Sequence, residues 1–351
     1  MRERGDGLLE LNDIYNMDCR EGLKLLENNS IDCCITSPPY WGLRDYGVPG
    51  QIGLEDSLQE YLTEMVELFR EIKRVLKAEG TLWLNLGDSY VGTGGDRKKK
   101  VKNELFQTQQ EHGPKDGRYE RTKKIKEDGL KPKDLMGIPW RVAFALQDDG
   151  WYLRSDIIWN KTNCMPEAVK DRPTKAHEYM FLLSKSRKYY YDDESIKEPC
   201  VNGDPNLPRG SNGTLGNPNK GRRLKGNSKT FRGGGAYTQG RSFNNSITAE
   251  RESHGNEPNK LGVRNKRSVW SVATDKLGAA HFATFPPELI RPCVLAGCPK
   301  GGTVLDIFMG SGTTAMVALE NQRNFIGFEL NPEYIKIANK YRLSEVQLKI
   351  V

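Results

Sequence analysis

Long apolar runs are missing from this 351-residue chain. No stretch approaches the roughly 18 apolar residues that a membrane-spanning helix needs. The opening residues MRERGDGLLELND contain no apolar signal core, so a cytoplasmic protein is the expectation. Cysteine is sparse and unpatterned: Cys19, Cys33, Cys34, Cys164, Cys200, Cys293 and Cys298 are odd in number and form no CxxC pair. That argues against a disulfide framework or a zinc site and for scattered reduced thiols. Histidine is rare, and His112 and His177 read as structural rather than catalytic. Residues 192–268 have few large aliphatics among many Gly, Asn, Lys and Arg, so they bury little core alone. No internal repeat is present.

What is there begins with charge. The net value of +7 conceals a split. Residues 201–268 carry 13 Lys and Arg against 4 Asp and Glu, and residues 94–133 carry 13 against 7. The remaining 243 residues carry 27 against 35. An acidic body thus bears two basic segments, which are either solvated loops or surfaces for a phosphate backbone.

The length suits one large α/β domain with insertions, or two domains. Near the start, IYNM reads as a strand, CREGLKLLE as a helix and IDCCIT as a buried strand. Leu58, Leu62, Met65, Val66, Phe69, Ile72, Val75 and Leu76 recur at helical spacing, with Gly80 as the stop, and TLWLNL follows as a strand. Residues 88–134 are Gly- and Lys-rich without periodicity and read as an insertion. IPWRVAFALQDDG restores a helix, and WYLRSDIIWNK and HEYMFLLSKSRKYYYD are β-rich. From Pro286 the order is helix PPELIRPCVLAG, strand TVLDIF, a glycine turn, helix TTAMVALENQ, strand NFIGFEL and helix PEYIKIANKYRL.

Two motifs carry chemistry. In Asp306-Ile307-Phe308-Met309-Gly310-Ser311-Gly312-Thr313-Thr314, a glycine turn joins a strand to a helix. Glycines permit a close approach of backbone to ligand, and the helix start offers free N–H groups. Glu329 ends the next strand, 23 residues after Asp306. An acid at about 20 residues accepts hydrogen bonds from ribose hydroxyls in nucleotide-binding units. No Lys follows the glycines, which disfavours a Walker A loop. The expected ligand therefore contains a nucleoside.

The second motif is Thr36-Ser37-Pro38-Pro39-Tyr40-Trp41, at the end of strand IDCCIT. The double proline blocks helix and removes two N–H donors. A stiff loop remains, with exposed carbonyls, a hydroxyl and two aromatic faces. Such a loop suits a planar ring bearing an amine, which stacks on an aromatic and donates to the acceptors.

Together the motifs resemble the amino-methylating DNA methyltransferases that use S-adenosylmethionine. The form Ser37-Pro38-Pro39-Tyr40 is similar to that of cytosine-N4 enzymes, whereas Asp or Asn in place of Ser marks adenine-N6 enzymes. The catalytic motif lies N-terminal, a basic segment in the middle and the glycine motif C-terminal, which resembles the permuted β group. The resemblance implies an α/β fold: a seven-stranded, circularly permuted Rossmann-like sheet with an inserted basic target-recognition region. It divides the chain into a catalytic-loop half (1–93), a basic insertion (94–134), a continuation of the sheet (135–191), a target-recognition region (192–268) and a cofactor-binding half (269–351).

Residue by residue, the resemblance makes Ser37, Pro38, Pro39 and Tyr40 the catalytic loop. Phe308, Gly310, Ser311, Gly312 and Thr313 fall in the cofactor loop, with Asp306 before it. Glu329 becomes the ribose-binding acid, and Asp18 the acid that reads the cofactor's adenine amine. Phe285, within HFATFP, falls near the methionine part of the cofactor. Thr36 and Trp41 join by proximity alone, and no metal is implied. The implied activity is site-specific methylation of the N4 amine of a flipped cytosine in duplex DNA, within a restriction–modification system and with a cognate endonuclease as partner. Adenine-N6 methylation is the neighbouring reading, because Ser37 carries most of the distinction. Among the other residues, Cys33 and Cys34 are expected to pack in a strand, Pro292-Cys293 to lie in a packed helix, and Trp83 and Trp159 to belong to the core. Arg44 and Asp45 either touch DNA or hold the loop.

Overall fold

The computed structural model describes residues 9–42, 50–91, 129–199, 263–275, 284–344 and 346. The chain divides into two compact units: Met1–Ile196 with Arg267–Val351, and Lys197–Lys266. In the second unit, strands β6 (Glu198–Pro199) and β7 (Val263–Arg264) pair antiparallel, and Arg264 bonds Glu198 at 2.9 Å. Most of the expected insertion at 94–134 and of the region 192–268 lies outside the described residues, as do Arg44, Asp45, His112 and Cys200.

The first unit is built on one sheet. Its strands are β1 (Asp13–Asn16), β2 (Ile31–Thr36), β3 (Leu76–Leu86), β4 (Tyr152–Lys161), β5 (His177–Ser184), β8 (Val269–Val272), β9 (Thr303–Asp306) and β10 (Asn324–Glu329). They lie in the order β1-β10-β9-β2-β3-β5-β4-β8. Only β5 runs antiparallel to its neighbours. Seven strands are expected from the resemblance, and eight are present among the described residues. The addition is β8, which closes the open edge of β4 in parallel register, with Trp159 Nε1 donating to the Val272 carbonyl at 2.9 Å.

Alternation along the strands gives the sheet two apolar faces. Cys34, Leu82, Leu84, Leu305 and Phe328 face α1 (Cys19–Lys24), α2 (Leu58–Val75) and α3 (Ile138–Asp148). Cys33, Ile35, Trp83, Val304 and Phe325 face α4 (Pro287–Gly297) and α5 (Thr313–Glu320). Cys33 and Cys34 are therefore packing residues on opposite faces, and Cys293 is buried inside α4. No described helix is long and apolar enough to cross a membrane.

Local chemistry sets the helix ends. Ser57 and Glu60 form a reciprocal capping box at the start of α2. The Asp88 carboxylate accepts the Gly137 and Ile138 N–H groups at the start of α3. Helix α2 stops earlier than the glycine signal implied. Leu76 is already extended, and Gly80 lies inside β3. Register explains the difference: Ile31 pairs with Leu76 but Cys33 pairs with Thr81, so Lys77–Gly80 bulge out of the ladder. There Gly80 leaves room beside the Lys77 carbonyl, from which a Cβ would stand 3.0 Å.

The connections reverse direction between β2 and β9. From β9 the chain passes through α5 to β10 on one side, and from β2 through α2 to β3 on the other. In open α/β sheets the crevice beyond the strand ends at such a reversal is where ligands bind.

Candidate active site

Both sequence motifs meet at this reversal. Thr36 ends β2 and Asp306 ends β9, and these strands are hydrogen-bonded neighbours. The Thr36 hydroxyl donates to Asp306 Oδ1 at 2.8 Å across 270 positions of sequence. Above the strand ends lies a cavity of about 540 Å³. It is lined by Ser37, Pro38, Pro39 and Tyr40, by Phe308, Gly310, Ser311 and Thr313, and by Asp18, Phe285 and Glu329.

The Ser37–Tyr40 loop is braced from below. The Pro39 carbonyl accepts the Tyr61 hydroxyl at 3.1 Å. Trp41 is buried, and its indole N–H donates to the Glu55 carbonyl at 2.9 Å. The Tyr40 hydroxyl donates to Glu178 Oε2 at 2.9 Å and stands 3.3 Å from Asn85 Oδ1. These ties fix the Tyr40 ring at the cavity wall, which Ser37 also lines.

The glycine loop is held by two carboxylates. Glu329 Oε2 accepts the Gly310 N–H and Oε1 accepts the Asn331 N–H, both at 2.8 Å. Burial pushes the Glu329 carboxyl above its ordinary value, against the pull of these N–H groups. Asp306 is wholly buried at 0% exposure and does not line the cavity. It accepts from Thr36, from the Phe308 N–H at 3.1 Å and from the Thr314 hydroxyl at 2.6 Å. Burial raises its pKa to about 6, although these hydrogen bonds pull it down. Asp306 and Thr36 therefore support the cavity floor from beneath. Gly312 is also behind the wall: its φ is +81°, and a Cβ would lie 2.7 Å from the Ala338 Cβ.

Asp18 caps α1 and accepts from the Arg20 backbone N–H at 2.8 Å and from its guanidinium at 2.6 Å. Burial raises the Asp18 carboxyl, but the Arg20 contacts outweigh it and hold the group below its ordinary value. Two hydroxyls on the cavity wall, Ser311 Oγ and Thr313 Oγ1, are buried and have no partner among the described residues.

Among the further polar or aromatic residues that reach the cavity are Asn85, Trp159, Lys161 and Glu178. Trp159 was expected in the core. It is 3% exposed, yet its remaining surface faces this space. Asn85 had a signal, being the one amide in an apolar strand. Glu178 and Lys161 had none, because strand ends often carry charges. From the segment HFATFP, Thr284 and Phe285 line the cavity, while 281–283 lie outside the described residues.

Comparison with known proteins agrees with this geometry. The N6_N4_Mtase family, described as DNA methylase, matches residues 31–340. Type II methyltransferase M.SmaI of Serratia marcescens is 45% identical over 92% of this chain and 88% of its own length. Type II methyltransferase M.Cfr9I of Citrobacter freundii is 44% identical over 94% and 88%. Among solved structures, the PvuII cytosine-N4-specific DNA methyltransferase superposes with a TM-score of 0.56 at 17% identity, covering 97% of this chain and 91% of that one. With the fold, the two motifs at one cavity and these relatives in agreement, the chain belongs to the N6/N4 DNA methylase family.

Proposed function

We propose that the protein transfers a methyl group from S-adenosylmethionine to the N4 amine of a cytosine flipped out of duplex DNA. It would serve as the modification enzyme of a Type II restriction–modification system, with a cognate endonuclease as its partner. The observation that carries this reading is the position of Ser37-Pro38-Pro39-Tyr40, which shares one cavity wall with the glycine loop and Glu329.

The residues present fit the cofactor. The Ser311 and Thr313 hydroxyls, buried and without a partner among the described residues, are donors or acceptors suited to a polar ligand. Asp18 and Glu329 supply carboxylates suited to amine and ribose hydroxyls, and Phe308 and Phe285 supply apolar faces. About 540 Å³ is within the range of small-molecule sites. Glycine at 310 lets the loop backbone come close to the ligand.

When bound, S-adenosylmethionine supplies an electrophilic methyl group on its sulfonium. The chain must make a poor nucleophile reactive, because the cytosine amine lone pair is delocalised into the ring. Ser37 Oγ and the Pro38 carbonyl would accept its two hydrogens in a pyramidal arrangement and free that lone pair. A serine hydroxyl is not a base near neutral pH, so the amine proton leaves late, from the cationic product. Positioning and electrostatics thus supply most of the rate. A base cannot react within the stack, so it is flipped and stacked on Tyr40.

In this reading residues 1–93, 135–191 and 269–351 make the methyltransferase domain. The basic segments 94–134 and 192–268 hold the duplex, the second as the target-recognition region. Adenine-N6 methylation is the alternative, because the matching family includes both amines and one residue, Ser37, separates them. The test is tritiated methyl transfer to unmethylated DNA by Ser37→Ala and Tyr40→Ala, beside cofactor titration. Both variants lose transfer and retain the cofactor. Transfer by Ser37→Ala at the wild-type rate would sink the assignment.

A further inference from the structure

On the wall facing the catalytic loop stands a charged pair with no role in the mechanism above. Glu178, near the start of β5, places Oε1 against the Lys161 ammonium at the end of β4. The two side chains are only 16% and 20% exposed. Lys161 lies 4.6 Å from the Trp159 ring centroid, which fixes it from the other side. The second oxygen, Oε2, accepts the Tyr40 hydroxyl at 2.9 Å and the Asn85 amide at 3.3 Å. Asn85 also donates to the Tyr179 carbonyl at 3.0 Å, which turns its own oxygen toward Tyr40.

Burying a carboxylate and an ammonium together gains little stability, because their desolvation offsets their attraction. Apolar residues of similar volume would serve the fold as well. The pair instead fixes one side chain. Gly87 shows how closely: a Cβ there would fall 2.6 Å from Tyr40 Cε2 and 3.2 Å from the Glu178 carboxyl carbon. The ring and the carboxylate fill the space that this glycine leaves.

We propose that Glu178, held by Lys161, is a positioning residue for methyl transfer: it locks the Tyr40 ring and thereby sets where the target base stacks. The inference rests on Tyr40 as the stacking residue. A bound base held about 1 Å out of place can cost on the order of a hundredfold in rate. Glu178 should therefore appear in kcat and not in cofactor affinity.

The experiment measures tritiated methyl transfer to unmethylated genomic DNA by the full chain, beside cofactor titration without DNA and thermal melting. Glu178→Ala and Tyr40→Phe each lower kcat by roughly tenfold or more, with the cofactor Kd within about twofold of wild type. The double variant is no slower than the slower single, because both remove one contact. Glu178→Gln keeps an acceptor for the phenol and recovers most of the rate. Gly87→Ala lowers kcat as Glu178→Ala does. Should Glu178→Ala fail to fold, Glu178→Ala with Lys161→Met removes both charges and carries the same expectation. A wild-type kcat in Glu178→Ala, a double variant slowed by the product of the singles, or a parallel fall in cofactor affinity would each overturn the proposal. If the wild type transfers and Glu178→Ala is unimpaired, only the positioning role falls. If the wild type transfers nothing, the role of Tyr40 falls with it.

Discussion

Asp306 offers the sharpest test of how the site is built. Its carboxylate is fully buried, with a pKa raised to about 6 from an ordinary 3.8. A carboxyl whose folded pKa is raised stabilises the fold fully at pH values below its unfolded pKa. That contribution is lost as pH rises from about 4 to about 6, because the unfolded chain releases the proton first. Two pKa units correspond to roughly 3 kcal/mol. Asp306→Asn carries no titrating group but preserves the shape. Its amide oxygen, in the place of Oδ1, can accept both the Phe308 N–H and the Thr36 hydroxyl, and the Thr314 hydroxyl can turn to accept from the amide nitrogen. All other titrating groups are common to both proteins, so the difference between them isolates Asp306. Between about pH 4.5 and 7 the wild type should lose about 2 kcal/mol relative to Asp306→Asn, with no further change above that window. Urea unfolding followed by tryptophan fluorescence measures it. All six tryptophans belong to the unit that contains Asp306. A difference that stays flat across this pH range would refute the burial and the supporting role derived from it.

Other outcomes follow from the same contacts. Glu329→Ala releases the Gly310 and Asn331 N–H groups and should weaken cofactor binding in a titration by about 2 kcal/mol, or some thirtyfold. Gly312→Ala forces a positive φ and a clash with Ala338, and should destabilise the first unit by about 1–3 kcal/mol in urea unfolding. Ser57→Ala removes the α2 capping box and should cost about 1 kcal/mol while leaving methyl transfer unchanged. Replacing Arg222, Arg223 and Lys225 with Ala should flatten the dependence of DNA affinity on salt, by up to about 0.9 in log–log slope per lost phosphate contact.

Much of this protein is legible in its sequence where one physical rule acts alone. Buried strands such as IDCCIT and TVLDIF follow from continuous apolar runs, and α2 from its repeat and its Ser57 cap. The two motifs are short because their chemistry is local: a glycine turn at +81° and a double proline each dictate backbone shape. What escaped depends on register and on distant partners. Strand β8 is four residues long, and only the open edge of β4 makes it a strand. Helix α2 ends before the glycine because Gly80 serves a bulge in β3 and not a helix stop. Asp306 sits in the motif but faces away from the cavity, since Thr36, Thr314 and the Phe308 N–H claim both of its oxygens. Glu178 and Lys161 acquire meaning only when β4 and β5 bring them to Tyr40. The split in charge is legible in the sequence, and the acidic body contains Asp18 and Glu329 on the cavity wall and Asp306 beneath it.

The most direct measurement is nucleoside analysis of unmethylated DNA incubated with the purified protein and S-adenosylmethionine. N4-methylcytosine is the expected product. N6-methyladenine would contradict the assignment made on Ser37, and the absence of any modified base would contradict methyl transfer itself.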